Sequence, residues 1–394
     1  MPAETGGESM EELDEVRRFG ADYLGAFLYA FSKWLKREFE ESHITGAFFL
    51  SREGALLKAA YETVDPEPSL PLHYLEVSRR ALSVPLLAGD PDLGSFLLHH
   101  VRLPQVCTVR QLLTASGLSE EQILSFCPDP DETVRRDPFL DTEAGRTLLY
   151  RIQEDVAAGA EREAEALEEY LRQFSFSGNC AVVDVGWAGS MQRDLALFLQ
   201  QTGQKALLTG FYAGLTGSAG QILGPCGLPA KGFWFDGLRD PLPRNHPAGQ
   251  ELALWEILLQ EPVGSVRKYR KDGDKILQER EPFEQARERE LLLLIRNSAM
   301  DRVRDLCEKE RAGEEALPAC CEDSAVFLRE AGNCALRLSR GLGQLAFSNY
   351  GETVPLALPR PLHSYLKEPG SLLRDYRRSP WKRAFRRNLF GSIL

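Results

Sequence analysis

The amino-acid sequence predicts an α/β protein: a mostly parallel, Rossmann-like sheet with a helical insertion and a helical C-terminal region. Two observations support this fold class. Short apolar segments of strand length alternate with amphipathic segments of helix length on both sides of a purely helical stretch. After that stretch, an apolar run ends in Asp184 and passes through a glycine-containing loop into a helix. This order is common at ligand sites of parallel sheets.

Composition and charge narrow the class of protein. The chain has 394 residues, of which 43% are hydrophobic and 27% charged, as in folded globular proteins. The net charge of −11 argues against general nucleic-acid binding, so no nucleic-acid partner is expected. Eight cysteines without a Cys-x-x-Cys motif, including the adjacent pair Cys320-Cys321, indicate a reducing compartment. Together with the acidic, polar N-terminus, these features predict a cytoplasmic protein.

Residues 11–89 are predicted to form the first half of the α/β core, after a disordered segment at residues 1–10. Apolar residues recur every three or four positions over residues 11–40, which predicts a long amphipathic helix. Residues 46–50 and 73–77 are candidate buried strands, joined by a short helix and a proline-containing turn.

Basic residues follow both of these predicted strands. Arg52 comes after the first strand, and Arg79 and Arg80 come after the second. The carboxyl ends of parallel strands meet at one edge of a sheet, where ligands bind in open α/β proteins. Each arginine alone is most simply a solvated surface charge, but the three together predict an anion site.

The rest of the chain divides into four predicted regions. Residues 90–175 carry several short helical patterns and one long one, which predicts the helical insertion. Residues 176–245 are predicted to form the second half of the core. Residues 246–375 are predicted to form the helical C-terminal region, and residues 376–394 a basic amphipathic tail.

The tail combines positive charge with aromatic residues. Residues 376–394 hold six basic residues and no acidic one, and Trp381, Phe385 and Leu389 recur every four positions. A basic amphipathic helix with aromatic anchors can lie on an anionic membrane surface. The alternative is that the tail docks on the protein's own acidic surface.

The segment from Asp184 to Gln192 is the strongest functional signal. Its glycines let the backbone approach a ligand, the N–H groups of the following helix face an anion, and the acid can hold sugar hydroxyls. An ordinary tight turn with a helix cap at Ser190 is the simpler interpretation. The candidate binding residues are Asp184, Val185, Gly186, Trp187, Ala188, Gly189, Ser190, Met191 and Gln192.

Two nucleotide-binding loops fit this segment poorly. The P-loop requires G-x-x-x-x-G-K-[ST], which is absent here. A methyltransferase loop for S-adenosylmethionine begins in the same way, as D-x-G, but Ala188 and Ser190 replace its later glycines. An S-adenosylmethionine-dependent methyltransferase remains the alternative enzyme, and a non-catalytic nucleotide or sugar-phosphate binding protein is a second alternative.

The order of loops and strands resembles that of type I phosphoribosyltransferases. The resemblance implies a pyrophosphate-binding half and a phosphoribosyl-binding half, the latter formed by the Asp184–Gln192 segment. The usual loop has two consecutive acids and a T-G-x-T ending, whereas this chain has Val183-Asp184 and Ala188-Gly189-Ser190-Met191. The implied pyrophosphate-binding residues are Ser51, Arg52, Glu53, Gly54, Ser78, Arg79 and Arg80.

Several longer phrases resemble one bacterial polysaccharide-biosynthesis family, whose members are often fused to a phosphatase of the haloacid dehalogenase type. The resemblance implies transfer of 5-phosphoribosyl from phosphoribosyl pyrophosphate to a saccharide or lipid-linked glycan, with Mg²⁺ carried in by the donor. The chain lacks the D-x-D-x-[TV] motif of the phosphatase, which implies a separate phosphatase partner. The phrases are residues 49–54, 77–81, 183–192, 210–214 and 262–269.

This chemistry suggests roles for individual side chains. Arg52, Arg79 and Arg80, with the Mg²⁺ ion, would stabilise the departing pyrophosphate. Asp184 would orient the ribose hydroxyls and balance charge on the ring. Glu53 and Glu76 are both candidates for a general base, with a structural role as the alternative for each. Trp187 is a candidate for stacking on a sugar, or else a core residue.

Overall fold

The structure, a computed structural model, describes residues 10–89, 92–241, 248–273, 275–283, 286–314, 323–349 and 352–391. Most of the predicted disordered segment, the last three residues of the predicted tail and the Cys320-Cys321 pair lie outside these ranges. The strands are β1 (Gly46–Leu50), β2 (Leu72–Leu75), β3 (Val106–Thr108), β4 (Thr133–Arg135), β5 (Gly178–Trp187), β6 (Ala206–Leu215), β7 (Ala230–Asp236), β8 (Val266–Asp272), β9 (Lys275–Arg280), β10 (Ala346–Asn349) and β11 (Glu352–Pro355).

The helices surround these strands, and a π-helical turn at Gly20–Gly25 joins the first two of them. In chain order they are α1 (Met10–Phe19), α2 (Ala26–Glu41), α3 (Gly54–Val64), α4 (Arg79–Ser83), α5 (Leu93–His99), α6 (Val109–Ala115), α7 (Glu120–Phe126), α8 (Arg136–Leu140), α9 (Glu143–Leu171), α10 (Ser190–Gln201), α11 (Ser218–Leu223), α12 (Ala248–Leu259), α13 (Ala286–Arg311), α14 (Ser324–Arg337), α15 (Ser339–Leu342), α16 (Leu362–Lys367), α17 (Pro369–Arg378) and α18 (Lys382–Phe390).

Five parallel strands form the central sheet, in the order β2-β1-β5-β6-β7. The predicted α/β fold with a parallel, Rossmann-like sheet is therefore confirmed. The chain first adds β2 on one side of β1 and then crosses to the other side to add β5. In open α/β sheets, ligands bind outside the carboxyl ends of the strands where the order reverses. Here that point lies between β1 and β5.

Both faces of the sheet are covered, because side chains alternate along each buried strand. Phe49 and Val183 pack on one face in a core shared with α2, α3, α12 and α13. Phe48 and Val182 pack on the other face, in a core shared with α9, α10 and the β8–β9 hairpin. The strands consequently consist of near-continuous apolar residues, which is why the sequence signal for β1 and β5 is strong.

The segment between β2 and β5 folds around a small core of its own. Helices α5 to α9 surround buried side chains such as Leu97, Leu112 and Ile152, and β3 pairs with β4 beside them. The long helix α9 begins after Thr142, whose hydroxyl accepts a hydrogen bond of 3.0 Å from the backbone N–H of Gly145. This N-cap satisfies one of the otherwise unpaired N–H groups of the first turn.

The C-terminal region contains two antiparallel hairpins, β8–β9 and β10–β11, in addition to its helices. These hairpins and the edge strand β7 were not predicted. In β8, only Val266 and Tyr269 are buried and the intervening residues are charged or exposed, so the apolar signal of a strand is weak there. In the described part of the chain, no helix is long and apolar enough to cross a membrane.

The tail is docked on the protein. The three apolar residues predicted as membrane anchors, Trp381, Phe385 and Leu389, lie in the main core, with Trp381 fully buried. Arg383 donates a hydrogen bond of 2.7 Å to the buried carboxylate of Glu251 on α12. The tail helix therefore lies against the protein itself, as the second of the two interpretations expected.

We expect the Glu251 carboxyl to make folding stability depend on pH. Burial raises its pKa to about 7, and the charge of Arg383 only partly opposes this. A glutamate in the unfolded chain has a pKa of about 4.3. Between the pKa of the unfolded chain and that of the folded protein, the folded state binds more protons. The free energy of unfolding therefore falls as pH rises through this range. Glu251→Gln removes this contribution, so its melting temperature should fall less between pH 5 and pH 8 than that of the wild type.

Thermal denaturation followed by circular dichroism at several pH values measures this difference. The control is Glu121→Gln, because Glu121 is exposed on α7 and its replacement should leave the pH dependence unchanged. A Glu251→Gln variant with the pH dependence of the wild type would contradict the expectation.

Candidate functional site

A cleft of about 90 Å³ lies at the carboxyl ends of β1 and β5, where the strand order reverses. It is smaller than the pockets that enclose whole ligands of drug size, so a larger ligand would extend from it into solvent. The cleft brings together residues from six separate segments. Its lining residues are Ser51, Arg52, Glu53, Val77, Ser78, Arg79, Arg102, Asp184, Val185, Gly186, Trp187, Ala188, Gly189, Ser190, Met191, Glu256 and Ser265.

Two serine hydroxyls hold the loops of the cleft in place. Ser51 donates a hydrogen bond of 2.6 Å to the carbonyl of Val77, which joins the end of β1 to the segment after β2. Ser78 donates to the carbonyl of Val266 at 2.6 Å and caps α4 by accepting from the N–H of Ala81 at 3.0 Å. Both predicted binding serines therefore support the loops with their side chains.

Two arginines reach the cleft from these two loops. Arg52 follows β1 and donates to the carbonyl of Val263 at 3.2 Å. Arg79 begins α4, is about half exposed, and lies 3.9 Å from the carboxylate of Glu256. Cis peptide bonds precede Arg52 and Trp187 in the loops that form the cleft. The two guanidinium groups give one wall of the cleft a positive charge.

The cleft also contains two buried acidic groups, the carboxyls of Asp184 and Glu53, which are negatively charged when ionised. Asp184 accepts a hydrogen bond of 2.7 Å from the N–H of Val185, and Glu53 accepts one of 2.9 Å from the N–H of Arg52. Burial raises the pKa of both carboxyls. The charge of Glu53 raises the pKa of Asp184 further, so the two groups titrate as a pair. A cation near the pair would favour its ionised form.

The helix after Asp184 begins without a side-chain cap. Gly189, with φ +74°, occupies the N-cap position of α10, and glycine has no side chain to cap the first turn. Ser190 is the first residue of the helix, so the alternative that made it the cap is wrong. Ser190 and Met191 line the cleft. The N–H groups of this first turn lack partners within the helix and are suited to an anion.

Arg80 and Glu76 lie apart from the cleft. Successive residues on a helix point about 100° apart, and of these two arginines Arg79 lines the cleft whereas Arg80 does not. Arg80 pairs with Glu163 at 2.7 and 2.9 Å, beside a separate depression between α9 and the β8–β9 hairpin. Glu76 forms an ion pair with Arg280 on β9 and is not among the residues that line the cleft.

Gly54 and Gln192, two further predicted binding residues, have packing roles. A Cβ at Gly54 would lie 2.5 Å from the backbone of Phe49, so glycine allows the close approach of α3 to β1. Gln192 is fully buried and donates to the carbonyls of Leu208 and Pro229 at 2.8 and 3.0 Å. Neither residue lines the cleft in the described part of the chain.

Trp187 lines the cleft but is mostly a core residue. Its ring stacks on Phe235, with 5.8 Å between ring centroids and 8° between their planes, and only 9% of the residue is exposed. Its carbonyl accepts hydrogen bonds from the N–H and the hydroxyl of Thr216 at 2.8 and 3.0 Å. These contacts agree with the core alternative and fix the loop between Asp184 and α10.

Four residues of the cleft were not predicted from the sequence: Val77, Arg102, Glu256 and Ser265. Arg102 lies after α5 in the insertion, and Glu256 lies on α12, in segments without a phosphate-binding pattern. Ser265 lies within residues 262–269, one of the phrases on which the family resemblance depends, and that was the available signal.

The chain matches no protein-family model, and no curated protein matches it significantly. Among the described residues, no group of three or more His, Cys, Asp and Glu side chains is arranged to hold a metal ion.

The last part of β5, between Asp184 and the strand's end at Trp187, should depend on glycine at position 186. Gly186 has φ +131°, and a Cβ there would lie 2.3 Å from the carbonyl oxygen of Gly214 on β6. We expect Gly186→Ala to lower the free energy of unfolding by about 3 kcal/mol, since backbone strain and the clash add. Gly203→Ala is the matched control, because Gly203 has φ +76° but open space around it, and should cost about 1 kcal/mol.

Urea denaturation of both variants measures these losses. If both variants lost the same free energy of unfolding, the close contact between position 186 and Gly214 would have no role in stability.

Proposed function

We propose that the cleft binds phosphoribosyl pyrophosphate and that the protein transfers its 5-phosphoribosyl group to a saccharide acceptor, releasing pyrophosphate. One observation carries this proposal. Arg52 and Arg79, from the loops after β1 and β2, line the same cleft as Asp184 and the start of α10. A donor with a phosphate at one end and a pyrophosphate at the other matches this distribution of charge.

The pyrophosphate would lie against the two arginines. Transfer from such a donor passes through a cationic, oxocarbenium-like ribose while negative charge builds on the leaving group. Positive groups fixed beside the leaving group stabilise this separation of charge without having to reorganise. The hydrogen bonds of Ser51 and Ser78 hold the loops that carry Arg52 and Arg79.

The ribose 5-phosphate would lie at the N-terminus of α10. Its first-turn N–H groups and the positive end of the helix dipole favour an anion. Asp184 lies within β5, near the carboxyl end of the strand, and its carboxylate would hold the ribose hydroxyls. The same carboxylate would balance positive charge on the ring.

A Mg²⁺ ion carried in with the donor would shield the charge of the pyrophosphate. The buried Asp184 carboxyl fits such an ion, because burial and the nearby Glu53 raise its pKa and a cation beside it would favour its charged form. It is the side chain that would face the ion, together with the oxygens of the donor itself.

The acceptor hydroxyl needs a group to take its proton. Glu53 is the better of the two candidate bases, since Glu76 is paired with Arg280 outside the cleft. Burial raises the pKa of Glu53, which brings its proton affinity closer to that useful at neutral pH. In the transfer, the acceptor oxygen bonds to the anomeric carbon, the bond to pyrophosphate breaks, and the hydroxyl proton passes to Glu53.

The acceptor we propose is a saccharide or lipid-linked glycan of bacterial surface polysaccharide synthesis, such as a capsule or O-antigen, on the cytoplasmic side of the inner membrane. The transferred ribose would keep its 5-phosphate. A separate phosphatase of the haloacid dehalogenase type would then remove this phosphate. The basis for acceptor and partner is the family resemblance of the sequence phrases.

Donor binding should depend on the arginines that face the cleft. We expect Arg52→Gln and Arg79→Gln each to weaken binding of phosphoribosyl pyrophosphate with Mg²⁺ by roughly 10- to 100-fold, as for a lost hydrogen bond to a charged group. Arg80→Gln is the control, because its guanidinium pairs with Glu163 outside the cleft. Calorimetric titration measures the three affinities.

Two outcomes would count against donor binding. No heat from phosphoribosyl pyrophosphate, with clear binding of S-adenosylmethionine, would favour the methyltransferase alternative. An Arg80→Gln variant that loses as much affinity as Arg79→Gln would place the anion site elsewhere.

Turnover should require both the acidic pair and an acceptor. We expect Asp184→Asn to reduce the rate of pyrophosphate release at least about 100-fold, because it removes charge balance from the transition state. Release by the wild type should increase when a glycan acceptor is added, as an enzyme-coupled pyrophosphate assay can measure. Binding of the donor without release, with every glycan tested, would support the non-catalytic alternative.

A further inference from the structure

Positive charge is concentrated near the C-terminus of this acidic protein. Residues 336–391 carry eleven basic and three acidic side chains, a net charge of +8 in a chain whose net charge is −11. Such an asymmetry indicates a surface for an anionic partner. The candidate site described above lies elsewhere, at the carboxyl edge of the sheet.

Part of this charge lines one groove. The end of α14, α15 and α18 surround a space of about 810 Å³, which we call the arginine groove. Five arginines line it, and none of its described lining residues is acidic. Its basic and aromatic lining residues are Arg337, Arg340, Arg383, Arg386, Arg387 and Phe390.

The walls of the groove are fixed to each other. Ser339 on α15 donates to the side-chain oxygen of Asn388 on α18 at 2.6 Å. The amide nitrogen of Asn388 donates back to the carbonyl of Ser339 at 2.9 Å and to that of Ala357 at 2.8 Å. The positions of the arginines on α15 and α18 are therefore coupled through a buried contact.

Most of these arginines form no ion pair with another described residue. Arg383 is committed to Glu251 and Asn333. Among the ion pairs of the described residues, none includes Arg340, Arg386 or Arg387, and all three side chains are exposed. Like charges held close together repel each other, so an anion in the groove lowers the energy of the arrangement. Arginines that served only as solvated surface charges would not require helices whose positions are fixed to each other.

An apolar side chain is exposed at the groove. Phe390 lines the groove and is 47% exposed. Binding of a soluble phosphate or of a nucleic-acid backbone does not require an exposed aromatic ring. Arginines beside an exposed phenylalanine are typical of surfaces that bind the interface of an anionic membrane.

We propose that the arginine groove binds the headgroups of anionic phospholipids, with Phe390 entering the interface of the membrane. The contact involves α14 and α15 as well as the tail, and it uses Phe390 in place of the buried Trp381 and Phe385. The inference does not depend on the proposed transfer reaction. It gives the protein a peripheral membrane contact on a surface separate from the cleft.

Sedimentation with vesicles tests this proposal. We expect the wild type to bind vesicles of phosphatidylcholine mixed with phosphatidylglycerol, not vesicles of phosphatidylcholine alone, and to dissociate at high salt. The double variant Arg340→Gln/Arg387→Gln should bind roughly 25-fold more weakly, on the basis of the energy expected for each basic residue. Phe390→Ser should also weaken binding, because it removes the apolar contact.

The matched control is the double variant Arg135→Gln/Lys205→Gln, which makes the same change in net charge at exposed positions outside the groove. It should bind vesicles like the wild type, and circular dichroism checks that all variants are folded. Equal loss in the control variant, or unchanged binding of the groove variant, would overturn the proposal. The proposal would also be overturned if the wild type did not bind anionic vesicles but bound inorganic phosphate or an RNA duplex through the arginines of the groove.

Discussion

The parallel pairing of β1 with β5 is the constraint on which the candidate site depends. Because β1 and β5 are neighbours while the chain between them runs out to β2 and through a helical insertion, the loops after both strands open at one edge. The register places Phe49 beside Val183, so Ser51 and Asp184 follow at nearly the same height. The loops at this edge can contact both charged ends of one ligand directly, so no long side chain has to reach the ligand from a distant element.

The electrostatics of the cleft come from opposed charges held in different surroundings. Asp184 and Glu53 are buried, whereas Arg79 is about half exposed. The carboxyls therefore keep high pKa values although arginines stand near them, since water screens an exposed charge more than a buried one. Binding of a ligand that excludes water would strengthen every one of these interactions at once.

The sequence predicted those parts of the molecule in which one physical signal dominates. Strands β1 and β5 are apolar on both faces. The strand before the glycine loop was expected to end at Asp184, but its pairing with β6 extends β5 to Trp187. The edge strand β7 and the hairpin β8–β9 carry mixed polar and apolar residues, so their pairing depends on tertiary contacts. The same limit applies to side-chain direction. In the sequence Arg79 and Arg80 are equivalent, but on α4 their side chains point in different directions. Glu256 lies at the cleft because of the packing of α12.

Helix α12 carries two carboxyl groups with different neighbours. Glu251 is buried against Arg383 of the tail, and Glu256 lies in the cleft near Arg79. The two residues are five positions apart, a rise of about 7.5 Å along a helix. One rigid element therefore spans the distance between the C-terminal helices and the arginine that faces the cleft. A shortened chain lacking α18 would lose a support of the cleft's own wall, so the last helices belong to the architecture of the site.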